Sequence, residues 1–271
     1  MPAHAPAHAF FLASAPGERY CLYHAAAGTC RGALVYVHPF AEEMNKSRRM
    51  AALQARALAA AGFAVLQIDL HGCGDSDGDI GEARWEQWHA DLAAARAWLQ
   101  ERSGQAAGLW GLRLGALLAL DHARRHSLPQ LVLWQPVLQG AAFLTQFLRL
   151  KVASGMLDED APAAGTRELR DVLASGRTIE VAGYQLAPEL AGAIDALDCA
   201  RLAPSCPTVW LEVVAAAERA LPPAATRVAA QWGTQTIVKV AGPAFWSTQE
   251  IAECPELIDA TCAALEGARH G

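Results

Sequence analysis

No histidine lies between His126 and His270 in this 271-residue chain. Chemistry that needs a late imidazole as general base has none to draw on across that span. Charge is sparse as well: 18% of residues are charged against 53% hydrophobic, a globular composition. The net charge is −6, and no cluster of Lys and Arg suggests a nucleic-acid footprint, so that class is set aside. No apolar stretch of roughly 18 residues is free of charges or breakers, which argues against a membrane span. The first thirteen residues lack a basic region and a long apolar run, so no signal peptide is expected. Seven cysteines, odd in number and scattered, argue against a disulfide framework and for a reducing, cytoplasmic setting. No C-x-x-C pair exists, which removes the usual structural zinc pattern. No cofactor and no metal are expected. Internal repeats and low-complexity linkers are absent too, so residues 1–271 are expected to fold as one unit.

What is present is an alternation of apolar strands and helices. Tyr20, Cys21, Leu22, Tyr23 and His24 alternate weakly and suggest an edge hairpin. Buried strands are expected at 33–37, 63–69, 107–110, 131–134, 208–214 and 236–240. Helices are expected at about 47–61, 116–126, 224–231 and 256–265, with Gly62 as the glycine ending the first. Trp85, Trp88, Leu92, Ala95 and Leu99 recur at helical spacing and mark one more. Such a series implies crossover units and a mainly parallel sheet flanked by helices. The rhythm breaks at about 141–204, which carries its own helices, a possible strand at 178–181 and the acidic loop Asp158-Glu159-Asp160. This stretch is expected to cap a core formed by about 1–140 and 205–271.

The centre of the chain is Gly111-Leu112-Arg113-Leu114-Gly115. Glycines two residues either side of one central residue are the pattern of a nucleophile elbow, a strained strand-to-helix turn that holds its central side chain at a pocket mouth. Here that residue is Arg113. Together with Asp69-Leu70-His71-Gly72-Cys73-Gly74-Asp75-Ser76 and His38-Pro39-Phe40, the pattern resembles the α/β-hydrolase fold. Two segments narrow the likeness. His38-Pro39-Phe40-Ala41-Glu42-Glu43-Met44-Asn45-Lys46-Ser47-Arg48-Arg49 and the elbow, with Gly242-Pro243-Ala244-Phe245-Trp246, resemble the family called exosortase A system-associated hydrolase 2. That resemblance implies a role beside bacterial exopolysaccharide clusters and the sorting of proteins with a C-terminal Pro-Glu-Pro tag.

The fold's triad runs nucleophile, acid, histidine in chain order. Arginine has no lone pair with which to attack. After the strand at 208–214 the turn offers only Glu218, and the turn after Val240 offers no histidine. The expected protein is therefore a non-catalytic ligand-binding or partner subunit. The alternative is an esterase, thioesterase or acyltransferase using His38, Glu42, Glu43 and Cys73, the thiol attacking beside His38 or His71. His38 and His71 could also join Asp69 or Asp75 around a metal, but capping of local backbone is the favoured reading. Cys73 is favoured as a small buried filler.

A cation at a helix start opposes the helix dipole, so Arg113 needs an anion. Glu42 or Glu43 is the internal candidate, which would make Arg113 a plug. A carboxylate or phosphate ligand is the external one, held by the guanidinium and the backbone N–H groups of Leu114 and Phe40. The candidate ligand-binding set is thus Arg113, Leu114, Phe40, His38, Glu42, Glu43 and Trp246. Phe143, Phe147 and Leu150 share one helical face that Leu144 and Leu148 widen, which predicts a homo-oligomer or pairing with a paralogous hydrolase unless the cap covers it.

Overall fold

The computed structural model describes residues 6–155, 165–233 and 237–267. The acidic loop Asp158-Glu159-Asp160, Thr236 and His270 lie outside the described residues. An antiparallel hairpin, β1 (His8–Ala13) and β2 (Glu18–His24), forms one edge of an eight-stranded sheet. Next come β4 (Phe63–Ile68), β3 (Gly32–Val37), β5 (Ala107–Leu112), β6 (Leu131–Trp134), β9 (Thr208–Val214) and β10 (Ile237–Ala241), in that spatial order. From β4 to β10 every pairing is parallel.

Every residue of β3, β5 and β6 is buried, as expected for strands covered on both faces. Alternate side chains feed two cores. Leu34, Tyr36, Trp110, Leu112, Val132 and Trp134 pack towards α1 (Glu42–Ala60) and α8 (Pro255–Gly267). Val35, Val37, Leu109, Leu131 and Leu133 pack towards α2 (Trp85–Ser103) and α3 (Leu114–Arg125). The tryptophan-rich face of α2 is buried at all five expected positions. Gly62 ends α1 at φ 85°.

Helix α1 starts at Glu42, a full turn before the expected 47. Hydrophobic periodicity does not register that first turn, because it holds Glu42 and Glu43. Carboxylates there face the positive end of the helix dipole and stabilise it by roughly 0.3–1 kcal/mol each. The extension lifts both glutamates out of a loop and onto a rigid element.

The cap runs between β6 and β9. It comprises α4 (Gly140–Gly155), α5 (Thr166–Ala174), a hairpin of β7 (Ile179–Val181) and β8 (Tyr184–Leu186), and α6 (Pro188–Asp195). Helix α7 (Pro223–Gln231) follows β9. The broad apolar face of α4 is covered, the second of the two cases that the sequence left open. Phe143, Leu144, Phe147 and Leu148 are all buried, and only Leu150 stays exposed, at 49%. Phe40 of the core and the cap's own α5, α6 and β7 cover it. Among the described residues, no helix is long and apolar enough to cross a membrane.

Helix α3 carries the elbow, and a buried polar chain ties it to α2. His89 Nε2 lies 3.0 Å from Asp121 Oδ2, and His89 Nδ1 lies 3.1 Å from His122 Nδ1. His122 Nε2 faces Arg96 Nη1 at 3.5 Å. With one proton per ring the chain orders itself: Arg96 donates to His122, His122 to His89, and His89 to Asp121. Trp85 Nε1 and Arg125 Nη2 also donate to Asp121 Oδ2. Burial, then the neighbouring His126, His89, Arg96 and Arg125, push His122 down from 6.5 to about 3. Burial alone would raise Asp121, but the hydrogen bonds from His89 and Trp85 and the charge of Arg125 outweigh it, giving about 2. Both folded values lie below the unfolded ones, so the unfolded chain binds more protons and stability is lost as the pH falls. The His122 contribution is complete above 6.5 and is lost between there and about 3. The Asp121 contribution is lost only between 3.8 and about 2. Urea unfolding followed from neutral pH to about pH 4.5 should show a falling midpoint, and His122→Asn should flatten the slope. An unchanged slope in the variant would contradict this assignment.

Candidate functional site

Three neighbouring strands end in strained residues. Beyond β3, Ala41 has φ 52° and ψ −129°. Beyond β5, Arg113 has φ 56° and ψ −118°. Beyond β6, Gln135 has φ 43°. None is glycine, so each conformation costs roughly 1–3 kcal/mol that surrounding structure must offset. At Arg113 that support is explicit. Its N–H donates to the Trp134 carbonyl at 3.0 Å, and its own carbonyl accepts from Ala116, Leu117 and Val137. The flanking glycines serve close approach. A Cβ on Gly111 would lie 2.6 Å from Ala116 Cα, and one on Gly115 would collide with the carbonyl oxygens of Val37 and His38.

The Arg113 side chain meets the expected internal anion. Its Nε donates to Glu43 Oε1 at 3.2 Å, and its Cζ lies 5.6 Å from the centre of the Trp246 ring. Among the described residues, Nη1 and Nη2 have no hydrogen-bond or ion-pair partner. Glu43 Oε2 is shut off from solvent and has no partner either. Burial pushes the Glu43 carboxyl up, with Arg113 pulling the other way. Glu42 is turned elsewhere: Tyr184 Oη of the cap donates to its Oε2 at 3.2 Å.

Arg113 lines a cavity of about 570 Å³ under α4, shared with Gln135, Phe143, Gln146, Glu212 and Arg227. None of these five was expected as a site residue from the sequence. Glu212 sits inside the otherwise apolar β9, 4% exposed. Its Oε1 accepts from Gln135 Nε2 at 3.0 Å and its Oε2 from Trp210 Nε1 at 2.9 Å. Burial raises Glu212, opposed by the Trp210 hydrogen bond, the Arg113 charge and Gln135. Gln135 Oε1 in turn accepts from Val213 N at 2.7 Å, so β6 and β9 are bridged at the cavity floor. A lone acid in the run Thr-Val-Trp-Leu-Glu-Val-Val was the available signal. Glu218, the only acid that the turn after β9 offers, is exposed and does not line the cavity.

Of the seven expected ligand-binding residues only Arg113 lines this cavity; Glu43 touches its guanidinium, and Glu42, Phe40, Leu114, His38 and Trp246 lie elsewhere. Phe40 and Leu114 instead border a separate void of about 10 Å³, room for one water at most. The Phe40 ring is held by Phe147, Phe143 and Trp88, at centroid distances of 5.1, 6.2 and 6.2 Å. His38 is closed off by backbone: Leu70 N donates to its Nε2 at 3.1 Å, so Nδ1 carries the proton and donates to the Pro39 carbonyl at 2.7 Å. Burial holds the His38 pKa down. Trp246 is buried behind the guanidinium rather than at the cavity wall. Cys73 is also buried, and burial pushes its thiol up, away from the thiolate that nucleophilic attack requires. Among the described residues the His71 ring has no hydrogen-bond partner, and its Nδ1 is buried. Among the described residues, no three His, Cys, Asp or Glu side chains converge as a metal site needs.

Residues 28–194 match the family described as serine aminopeptidase, S33. Over 111 residues the chain is 34% identical to human protein ABHD12B, a match spanning 41% of this chain and 29% of that protein. The structure resembles Est1E from Butyrivibrio proteoclasticus, solved with ferulic acid bound. There the TM-score is 0.70 at 14% identity, covering 97% of this chain and 100% of that one. It also resembles XC6422 from Xanthomonas campestris, an α/β serine hydrolase without a lid. That match has a TM-score of 0.59 at 15% identity, covering 98% and 95% of the two chains. At such identities these two structures establish the α/β-hydrolase fold alone.

The close approach at Gly115 makes a test. Gly115→Ala should destabilise the protein by about 1–3 kcal/mol in urea. Gly192→Ala, where an added Cβ meets nothing within 4 Å in α6, should be neutral or stabilising by up to about 1 kcal/mol. Equal effects at both positions would contradict the packing described.

Proposed function

We propose that this chain, which belongs to the serine aminopeptidase S33 family, captures an anionic small molecule at the elbow and performs no serine-hydrolase chemistry. One observation carries the reading. The residue in the strained elbow conformation is an arginine that spends only Nε on the protein and keeps Nη1 and Nη2 for the cavity it lines. A guanidinium so placed offers two parallel N–H groups to a carboxylate or phosphate. The same residue has no electron pair to attack with. Arg227 adds a second cation to the wall, and Gln146 adds an amide group that hydrogen-bonds the body of a polar ligand. The motif likeness to exosortase A system-associated hydrolase 2 supplies the setting we favour, a cytoplasmic role beside exopolysaccharide production and protein sorting.

Two anions test the site by titration calorimetry: benzoate for carboxylates and dimethyl phosphate for phosphates. At least one should bind, and Arg113→Ala should weaken it by about tenfold or more, the scale of losing charge-assisted hydrogen bonds. If neither binds, or if the variant binds as well as the parent, Arg113 is a plug and the proposal falls. Separately, a fluorophosphonate probe should label no serine of the pure protein. Stoichiometric labelling at any serine would restore the hydrolase reading.

A further inference from the structure

The elbow cation is outnumbered. Arg113 is paired with Glu43 at 3.2 Å, and its charge also acts on Glu212, which lines the same cavity. An anion arriving at Nη1 and Nη2 would place a third negative group around one guanidinium. Like charges gathered in a partly desolvated site cannot all remain ionised, so one must take up a proton.

The hydrogen bonding decides which. Each Glu212 oxygen already accepts an N–H, from Gln135 and from Trp210, and such bonds hold a carboxylate in its ionised form. Among the described residues Glu43 has one donor only. Its Oε1 takes Arg113 Nε, while its Oε2 is buried with no partner. Of the groups around it, Lys46 on the same helix acts on it weakly, and Glu42 is engaged with Tyr184. Trp246, packed on the far side of the guanidinium, brings no charge. Among the cavity residues, Asp198 accepts from Ala200 N, and Arg227 stands on the surface of α7. Arg113 is therefore the main support of the Glu43 charge, and it is the group a ligand would share. We infer that anion capture at Arg113 is coupled to uptake of a proton by Glu43, so that the site binds an anion and a proton together. This rests on the anion-binding reading. The upward pull of burial on the Glu43 carboxyl runs in the same direction. Charge balances in the step: the anion adds one negative charge, the proton from solvent lands on Glu43 Oε2, and Arg113 stays cationic.

Titration calorimetry of the whole protein with benzoate or dimethyl phosphate, both ionised from about pH 8 to about pH 6, reads this directly. Repeating the titration in two buffers of different ionisation enthalpy counts the protons. The expected result is close to one proton taken up per anion, with affinity rising by up to about tenfold for each pH unit lowered. Glu43→Gln, which keeps an acceptor for Arg113 Nε, should abolish the uptake and flatten the pH profile. Binding with no proton uptake in the parent overturns the coupling while leaving the anion site intact. Uptake that survives Glu43→Gln overturns the assignment to Glu43. Failure of both anions to bind at any of these pH values overturns the anion site and the coupling with it.

Discussion

The seat of α3 on the sheet depends on one contact, the passage of Gly115 across the end of β3. A Cβ there would strike the carbonyl oxygens of both Val37 and His38. Because it has none, the first turn of α3 lies flat against the adjacent strand. That closeness forces the chain to leave β5 through a residue at φ 56° and ψ −118°. The conformation persists because the Trp134 carbonyl and the Val137 amide hold Arg113 from the neighbouring strand end. The backbone geometry therefore belongs to packing between elements and is indifferent to which side chain the elbow presents.

That indifference is what lets an arginine stand at the elbow. A guanidinium opposed to a helix dipole needs compensation, and the structure supplies it from α1. The early start of α1 places Glu43 beside Arg113, where it meets Nε alone. The compensation is incomplete by geometry: among the described residues one carboxylate oxygen is buried and unpartnered, and two nitrogens of the cavity-lining guanidinium have no partner. A pure plug would be expected to close both ends of the pair. The buried Glu212, bound by Gln135 and Trp210, adds a second negative charge below the same cation.

The cap is joined to the core by two kinds of contact. Phe40, just beyond β3, packs its ring against Phe143 and Phe147 of α4. At the rim, Tyr184 of the β7–β8 hairpin donates to Glu42 on α1. One contact is apolar and central, the other polar and exposed. Together they fix the roof of the cavity relative to Arg113, and they absorb the apolar face of α4 that sequence periodicity leaves open.

Local pattern determined a good deal. Runs such as Leu131-Val132-Leu133-Trp134 are too apolar to lie anywhere but in a doubly covered strand, and Trp85, Trp88 and Leu92 mark their helix by spacing alone. The glycines around Arg113 announced the elbow, and the sign of its charge announced an anionic neighbour. Tertiary structure decided the rest. Whether Glu42 or Glu43 meets Arg113 depends on where α1 begins, set by end charges rather than by hydrophobic period. His38, Phe40 and Leu114 look like site residues in the chain, yet the His38 ring is engaged by backbone and Phe40 and Leu114 border a separate small void. Glu212 and Gln135 come together across 77 positions only because β6 and β9 are neighbours in the sheet. Which residues share a cavity is a property of strand order, and strand order depends on burial summed over the whole chain, which no short stretch records.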